Sequence, residues 1–474
     1  MAGTFMLGEE KIRPGAYFNI QNNDVTEESI LEGVTAVLFR ADFGPLNTIV
    51  ELGAGDSYEA VFGDGLTTDA IREAVSGGAK DILACRVGSG GATASAAIHD
   101  TEGEEAAVIS ARYPGAKEFS VTVRGKLPDG LRKECIIYAG ALEFERLEFA
   151  AGEKEAEALA ETFSSSRNFS VEVKEGKGDA LLADTAQQAF SGGANPQATA
   201  EDYSEAFAQA EAYEFNTICV DTEDHGVHLL LAAFMDRAAS AGLMAQAVVA
   251  ERHTVSLEER QSHAAAFNNE KMCYVLNAHV GELGKDGKAR EIDGYQTAAR
   301  IAGMVGACPS NASLTHTVVD GFTELMEKLT NTQMSEAESK KGCIVLSLDS
   351  RKQVWIDNAI NTLVAPSGDR DSGWKKIRRV TARFELMRRI NAAVEALVGK
   401  IDNDSNGRST VVSRINDIGT AMVEESKLTA FQASESSTYK ADVDSAWFDI
   451  AVIDKDSMEH IYLTYLFQFS TDGE

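Results

Sequence analysis

The sequence predicts an α/β core with an inserted β-rich domain and an α+β C-terminal domain. Three observations lead there. Short apolar strands alternate with amphipathic helices on both sides of a long interruption. The interruption itself alternates apolar and charged residues in strand-length runs. After Pro366-Ser367-Gly368-Asp369, a long amphipathic helix leads to a terminal strand pattern. Alternating β and α elements imply a sheet of parallel character covered by helices on both faces.

Residues 1–24 read as an arm. Ala16, Phe18 and Ile20 alternate with Tyr17, Asn19 and Gln21 before Asn22-Asn23-Asp24 breaks the run. Such a short strand needs a sheet to join, in its own subunit or in another. From 25 to 91, Thr35–Phe39 and Asp81–Val87 read as strands. Between them lies helix Thr68–Val75, with Thr67 or Thr68 as its cap and Gly77-Gly78 as its stop. From 92 to 184 the expected strands are Ala107–Arg112, Phe119–Arg124, Glu134–Tyr138, Ala141–Phe149 and Phe169–Lys174, with a turn at Pro128-Asp129-Gly130.

The α/β pattern resumes over 185–365, with strands at Thr217–Val220, Ala245–Val249, Met272–Leu276 and Cys343–Leu348. Helix Val227–Ala241 carries the stripe Val227, Leu230, Leu231, Phe234 and Ala238. In the last unit, 366–474, helix Trp374–Leu397 carries Ile377, Val380, Phe384, Met387, Asn391, Val394 and, just past it, Val398. Finally Ile461, Leu463, Tyr465, Phe467 and Phe469 alternate with Tyr462, Thr464, Leu466, Gln468 and Ser470, a strand signature.

Composition excludes several classes. Forty-four basic against 74 acidic residues give a net charge of −30, which argues against a nucleic-acid surface. No apolar run approaches the ~18 residues of a membrane helix, and Met1–Lys11 lacks the apolar stretch of a secretory signal. Neither membrane insertion nor secretion is expected. Cys85, Cys135, Cys219, Cys273, Cys308 and Cys343 show no Cys-x-x-Cys spacing and read as buried free thiols.

Motifs that would signal chemistry fail on inspection. Gly53-x-Gly55 and Gly88-x-Gly90 continue to Tyr58 and Thr93, where a dinucleotide fingerprint needs a small residue. Gly281 to Gly287-Lys288 is one residue too long for a phosphate loop and continues with Ala289. Asp402–Gly407 copies half a calcium loop, but Ser413 stands where a bidentate Glu should close the cage, so a turn with a positive-φ Gly is expected. His225-Gly-Val-His228 follows Asp221 and Asp224 without a fixed third ligand, so capping and solvated polar roles are expected rather than a metal site. No catalytic residue, cofactor or metal is expected.

One cluster stands out. Lys375, Lys376, Arg378, Arg379, Arg383, Arg388 and Arg389 crowd one helix of an acidic chain. Two readings stay open: a helix face paired to neighbouring acids, or a contact with an acidic partner.

Phe190-Ser-Gly-Gly-Ala-Asn-Pro, then Glu201-Asp202-Tyr203, Glu214-Phe215-Asn216 and the strand Thr217–Val220, resembles the segment entering the central α/β domain of tail sheath proteins of contractile phages and phage-derived bacteriocins. Asn195-Pro196 departs from the Gly-containing turn that many relatives carry there. Arg13-Pro14-Gly15-Ala16-Tyr17, Arg112-Tyr113-Pro114-Gly115, Ala298-Ala299-Arg300-Ile301-Ala302-Gly303 before Pro309-Ser310, and the C-terminal Arg-rich helix with its Asn406-Gly407 turn and last strand resemble further stretches of that family.

The resemblance implies a structural subunit, not an enzyme, stacked as hexameric rings around an inner tail tube, with baseplate and tail terminator proteins at the ends. It implies contraction that drives the tube through a target envelope, in a virion tail or tail-like particle assembled in the host bacterial cytoplasm. Terminal strands would cross to neighbouring subunits: Ala16, Tyr17, Phe18 and Ile20 at one end, and Ile461, Leu463, Tyr465, Phe467 and Phe469 at the other. Lys375, Lys376, Arg378, Arg379 and Arg383 would face the tube or the next subunit. The alternatives are a cofactor-dependent α/β enzyme with an inserted β domain, or another virion part such as a baseplate or capsid protein.

Overall fold

The computed structural model describes residues 3–4, 17–18, 31–284, 286–368 and 370–467. It comprises two units, residues 1–31 and 32–474. In the first, Gly3–Thr4 pairs in parallel with Tyr17–Phe18. Ala16 and Ile20 of the expected arm strand lie outside the described residues.

The second unit is built on a seven-stranded sheet. Its strands are β1 (Val34–Phe39), β2 (Ile49–Gly53), β3 (Asp81–Arg86), β4 (Thr217–Val220), β5 (Gln246–Ala250), β6 (Met272–Val275) and β7 (Cys343–Ile344). The order is β7-β6-β5-β4-β1-β3-β2, parallel throughout except for β2 at the edge. Ala36 to Phe39 are wholly buried on both faces, which is why these strands read as continuous apolar runs rather than alternating ones.

Helices α1 (Asp69–Ser76), α2 (Ala200–Ala210), α3 (His225–Ser240), α4 (Leu257–Phe267) and α5 (Tyr295–Ala307) cover the sheet. One core cluster joins Ile71 and Ala74 of α1 with Ile301 and Val305 of α5. The other joins Phe207, Leu231, Phe234 and Ala264 of α2, α3 and α4. The stripe expected on α3 is shifted. Leu230 is exposed, and the buried face also takes in His228 and Met235.

α1 and α5 pack backbone to backbone. A Cβ added at Gly303 would meet the Ala74 carbonyl oxygen at 2.0 Å, and one at Gly77 would meet that of Arg300 at 2.1 Å. Arg300 pairs with Glu73 and Glu282 in the same seam, all three buried.

The β-rich block holds a three-stranded sheet of Ser95–His99, Glu105–Ala111 and Phe169–Val173. It also holds a four-stranded sheet of Phe119–Gly125, Arg132–Ala139, Leu142–Ala150 and Thr185–Ala189. Pairing thus continues past residue 184, where the composition suggested a border. Bridges Ser89↔Gln197, Ala92↔Ala194 and Ser95↔Ser191 zip the two connecting stretches together. Phe43, from the loop after β1, packs in this block's core against Phe119, Phe144 and Phe169. Arg86, at the end of β3, is fully buried and donates to the carbonyls of Ala41, Gly44 and Pro114. Burial pulls its pKa down to about 10, with Asp42 opposing.

In the C-terminal unit, α6 (Ile377–Glu395) and α7 (Ser405–Glu424) pack with a hairpin of β8 (Leu428–Glu435) and β9 (Phe448–Asp454). The stripe expected on α6 drifts as well. Met387 is half-exposed and Val398 lies beyond the helix, while Leu386, Ile390 and Ala393 fill the core. Asn406-Gly407 is no turn and Gly407 has no positive φ. Asp404 caps α7 by accepting from the Gly407 amide at 2.8 Å, so the pair sits in the first helical turn. The expected strand Cys343–Leu348 is split. Cys343–Ile344 joins the main sheet, and Leu346–Leu348 pairs with Val354–Ile356.

Candidate assembly surface

The glycine stretches serve turns and close approaches. The Gly53 amide donates to Asp56 at 2.8 Å, closing the turn after β2. Gly88 and Gly90, both with positive φ, lie beside the zipped connection. Gly281 lies on strand Val280–Leu283, which pairs with Ala289–Ile292 across a hairpin. The cysteines are free, and all but the partly exposed Cys308 are buried.

The basic helix has a defined set of partners. α6 begins after a short turn, Ser372–Lys375, capped by Asp371. From that start, Arg379 and Arg383 fall one turn apart on one face, and both reach the carboxylate of Asp454 at the end of β9. The distances are 2.9 Å and 2.6 Å. Arg383 also bonds Asp371 at 3.2 Å and lies 4.3 Å from the Trp374 ring centre.

Lys376 bridges Asp456 at 3.0 Å and Glu459 at 2.7 Å. Burial lowers its pKa, but those two acids outweigh burial and hold it above its ordinary value. Arg378 donates to Ser457 Oγ at 2.5 Å, and Lys375 to the Ser339 carbonyl at 3.3 Å. Further along, Arg389 pairs with Glu385 and Glu425, and Arg388 donates to the Met244 carbonyl. All seven cations singled out from the sequence, including the five expected to face a partner, therefore have partners within the chain. The acids that meet those five, Asp371, Asp454, Asp456 and Glu459, were not singled out. The signal was present: Asp454-Lys-Asp-Ser-Met-Glu459 is an acidic stretch just before the terminal alternation.

Beyond this clamp the chain changes character. Residues 460–467 form no strand, and Ile461, Leu463, Tyr465 and Phe467 are 68, 70, 71 and 87% exposed. Phe469 lies outside the described residues. The strand expected from the alternation is thus not paired among the described residues. An exposed apolar run of this kind marks an interaction surface. Among the described residues the β8–β9 hairpin that precedes it in the chain is a two-stranded sheet, and Ile450 and Ile453 of β9 are 42% and 60% exposed.

Residues 196–362, which span β4 to β7, match the family model of the phage tail sheath protein central domain. Over these residues the chain is similar to that sheath domain. The matched segment begins where the zipped connection returns from the β-rich block.

Along its length the chain is 25% identical over 483 residues to the phage-like element PBSX protein XkdK of Bacillus subtilis, covering 97% of this chain and 98% of that one. The crystal structure of the sheath tail protein of Desulfitobacterium hafniense has the same fold: TM-score 0.69, 18% identity, 93% of this chain and 100% of the other. The anti-feeding prophage helical sheath in its contracted state aligns with TM-score 0.51 and 11% identity over 97% and 99% of the two chains.

Proposed function

We propose that this sheath-type chain polymerises with copies of itself by exchanging its terminal strands. One observation carries the reading: an exposed apolar run, 461–467, leaves a firmly clamped base beside a two-stranded sheet with exposed apolar residues. The hairpin is packed on α6 and α7, but its open edge presents unpaired amides and carbonyls and its Ile450 and Ile453 stay exposed. A strand donated by another copy would satisfy both. Backbone bonds would supply strength, and the alternation of Ile461, Leu463, Tyr465, Phe467 and Phe469 would supply register. The N-terminal stretch Ala16, Tyr17, Phe18 and Ile20 takes the second donor role.

The assembled form is a set of stacked six-membered rings around an inner tube, with baseplate and terminator proteins at the ends. Its contraction drives the tube through a target envelope. The particle is a virion tail or tail-like particle built in the bacterial cytoplasm. The β-rich block faces outward, the work is mechanical, and neither catalysis nor a nucleotide takes part.

We assign Lys376, Arg379 and Arg383 to the clamp that aims the C-terminal run. A tube contact through Lys375 and Arg378 is the second reading, because among the described residues these two have no carboxylate bonded to their charged heads. Deleting residues 460–474 should leave a folded monomer that forms no tubes by sedimentation and negative-stain imaging; normal tubes would sink strand exchange. Lys375→Glu with Arg378→Glu should spare self-assembly. Loss of co-assembly with tube protein in that variant favours the tube contact, and unchanged co-assembly leaves these cations without one.

A further inference from the structure

At the carboxyl edge of the core sheet lies a polar cluster that strand exchange does not use. Asp224 caps α3 by accepting from the Gly226 amide at 2.8 Å. This starts the helix so that His225 and His228, three residues apart, share a face. Glu251 follows directly after β5, His263 comes from α4 and Tyr274 from β6.

One ring nitrogen of His225, one of His228 and a carboxylate oxygen of Glu251 all lie within 4.8 Å of one another. His228 is fully buried, and its Nε2 sits 2.8 Å from the Thr222 carbonyl. A carbonyl only accepts, so Nε2 carries the proton and Nδ1 keeps its lone pair. That Nδ1 is buried with no hydrogen-bond partner, and so is Nδ1 of His225.

Glu251 is 2% exposed. It accepts from the Tyr274 hydroxyl at 2.7 Å and sits 2.9 Å from His263 Nδ1. The His225 and His263 rings stack at 3.9 Å.

We propose that His225, His228 and Glu251 bind a divalent transition-metal ion of the zinc class. Two orphaned imidazole nitrogens beside one buried carboxylate form a nitrogen and oxygen donor set that zinc takes and that calcium and magnesium do not. The remaining groups match the outer partners such ligands require. Thr222 fixes the His228 tautomer, and Tyr274 and His263 orient Glu251. Zinc ligands at about 2.0–2.2 Å from the ion stand roughly 3.4 Å apart, so small side-chain rotations close the present triangle. The positive end of α3 opposes a cation there, and the Glu251 and Asp224 carboxylates offset it. The ion would tie the start of α3 to the edge of β5. It would act as a structural staple within the matched central domain and does not depend on how the chain assembles.

A second trio supplies an internal control. His253, His279 and Asp293 also come within reach of one another. There His253 Nδ1 already bonds Asp293 and His279 Nε2 sits by Glu291.

The test uses the untagged full chain, stripped of metal and titrated with zinc chloride. Bound zinc is counted by mass spectrometry after desalting, and melting is followed with and without the ion. One zinc per chain and a melting point raised by the ion are expected. His225→Ala, at a partly exposed position, should fold as wild type and lose both; His228→Gln should do the same. His253→Ala should keep both. In the cobalt-loaded protein, tetrahedral d–d absorption should appear in wild type and vanish in His225→Ala. No stoichiometric zinc in wild type, or full zinc retained by His225→Ala, would overturn the proposal.

Discussion

Asp454→Asn tests the clamp most directly. The Asp454 carboxylate is 6% exposed and holds Arg379 and Arg383, themselves 21% and 14% exposed. A hydrogen bond to a charged group nets about 1.5–3 kcal/mol, and removing one side of a buried ion pair costs about 3–5 kcal/mol. Asp371 remains 3.8 Å from Arg379 and 3.2 Å from Arg383, and water reaches both guanidiniums, so the lower end applies. The expected loss is about 3 kcal/mol, or roughly a hundredfold rise in opening of this end of the hairpin. Hydrogen exchange of peptides spanning 448–459 should accelerate by that factor, and the urea midpoint of the C-terminal unit should fall. Protection within about twofold of wild type would mean that Asp454 does not hold the segment, and the argument for an aimed C-terminal run would fail with it.

Gly303→Ala places a Cβ 2.0 Å from the Ala74 carbonyl oxygen, a backbone atom that cannot step aside. α1 and α5 must then part, at a cost of about 3 kcal/mol in urea unfolding, the upper part of the overpacking range. Glu338 has its pKa pushed up from 4.5 to about 7, first by burial and then by Asp357. Between those values the folded chain holds a proton that the unfolded chain has released. The contribution is therefore fully present below about pH 4.5 and declines as pH rises to about 7. Urea midpoints across this window should fall with pH in wild type, and the fall should shrink in Glu338→Gln; an unchanged slope would assign it to another group.

The core sheet was legible because its central strands are buried on both faces. Thr217–Val220 is four consecutive strand formers and needs no alternation to announce itself. Edge elements carried weaker signals: Ile49–Gly53, Thr185–Ala189 and the β8–β9 hairpin mix polar residues into their runs, so neither a continuous apolar run nor a clean alternation stands out. Asn406-Gly407 has the composition of a turn, but Asp404 starts a helix before it. On α3 and α6 the apolar residues were visible and their azimuth was not, since His228 and Glu385 are buried by tertiary partners that a stripe cannot foresee. The basic helix was visible as charge, whereas Asp454 lies 71 residues beyond Arg383. Only His225 and His228 of the histidine cluster are neighbours in sequence; Glu251 and His263 arrive on the next strand and the next helix.

The zipped connection to the β-rich block bears on how load crosses the molecule. A domain hung on two loose tethers would swing when pulled, and the pull would fall on one peptide bond after another. Here the outgoing and returning chains are bridged at Ser89↔Gln197, Ala92↔Ala194 and Ser95↔Ser191, with Phe43 seated in the block and Arg86 gripping carbonyls from both sides of the junction. Tugging the block along that seam loads these bonds side by side, so they resist together and fail together. A force applied to the face of the block far from the core would reach β1 and β3 nearly undamped, and the block would behave as a handle on the core sheet.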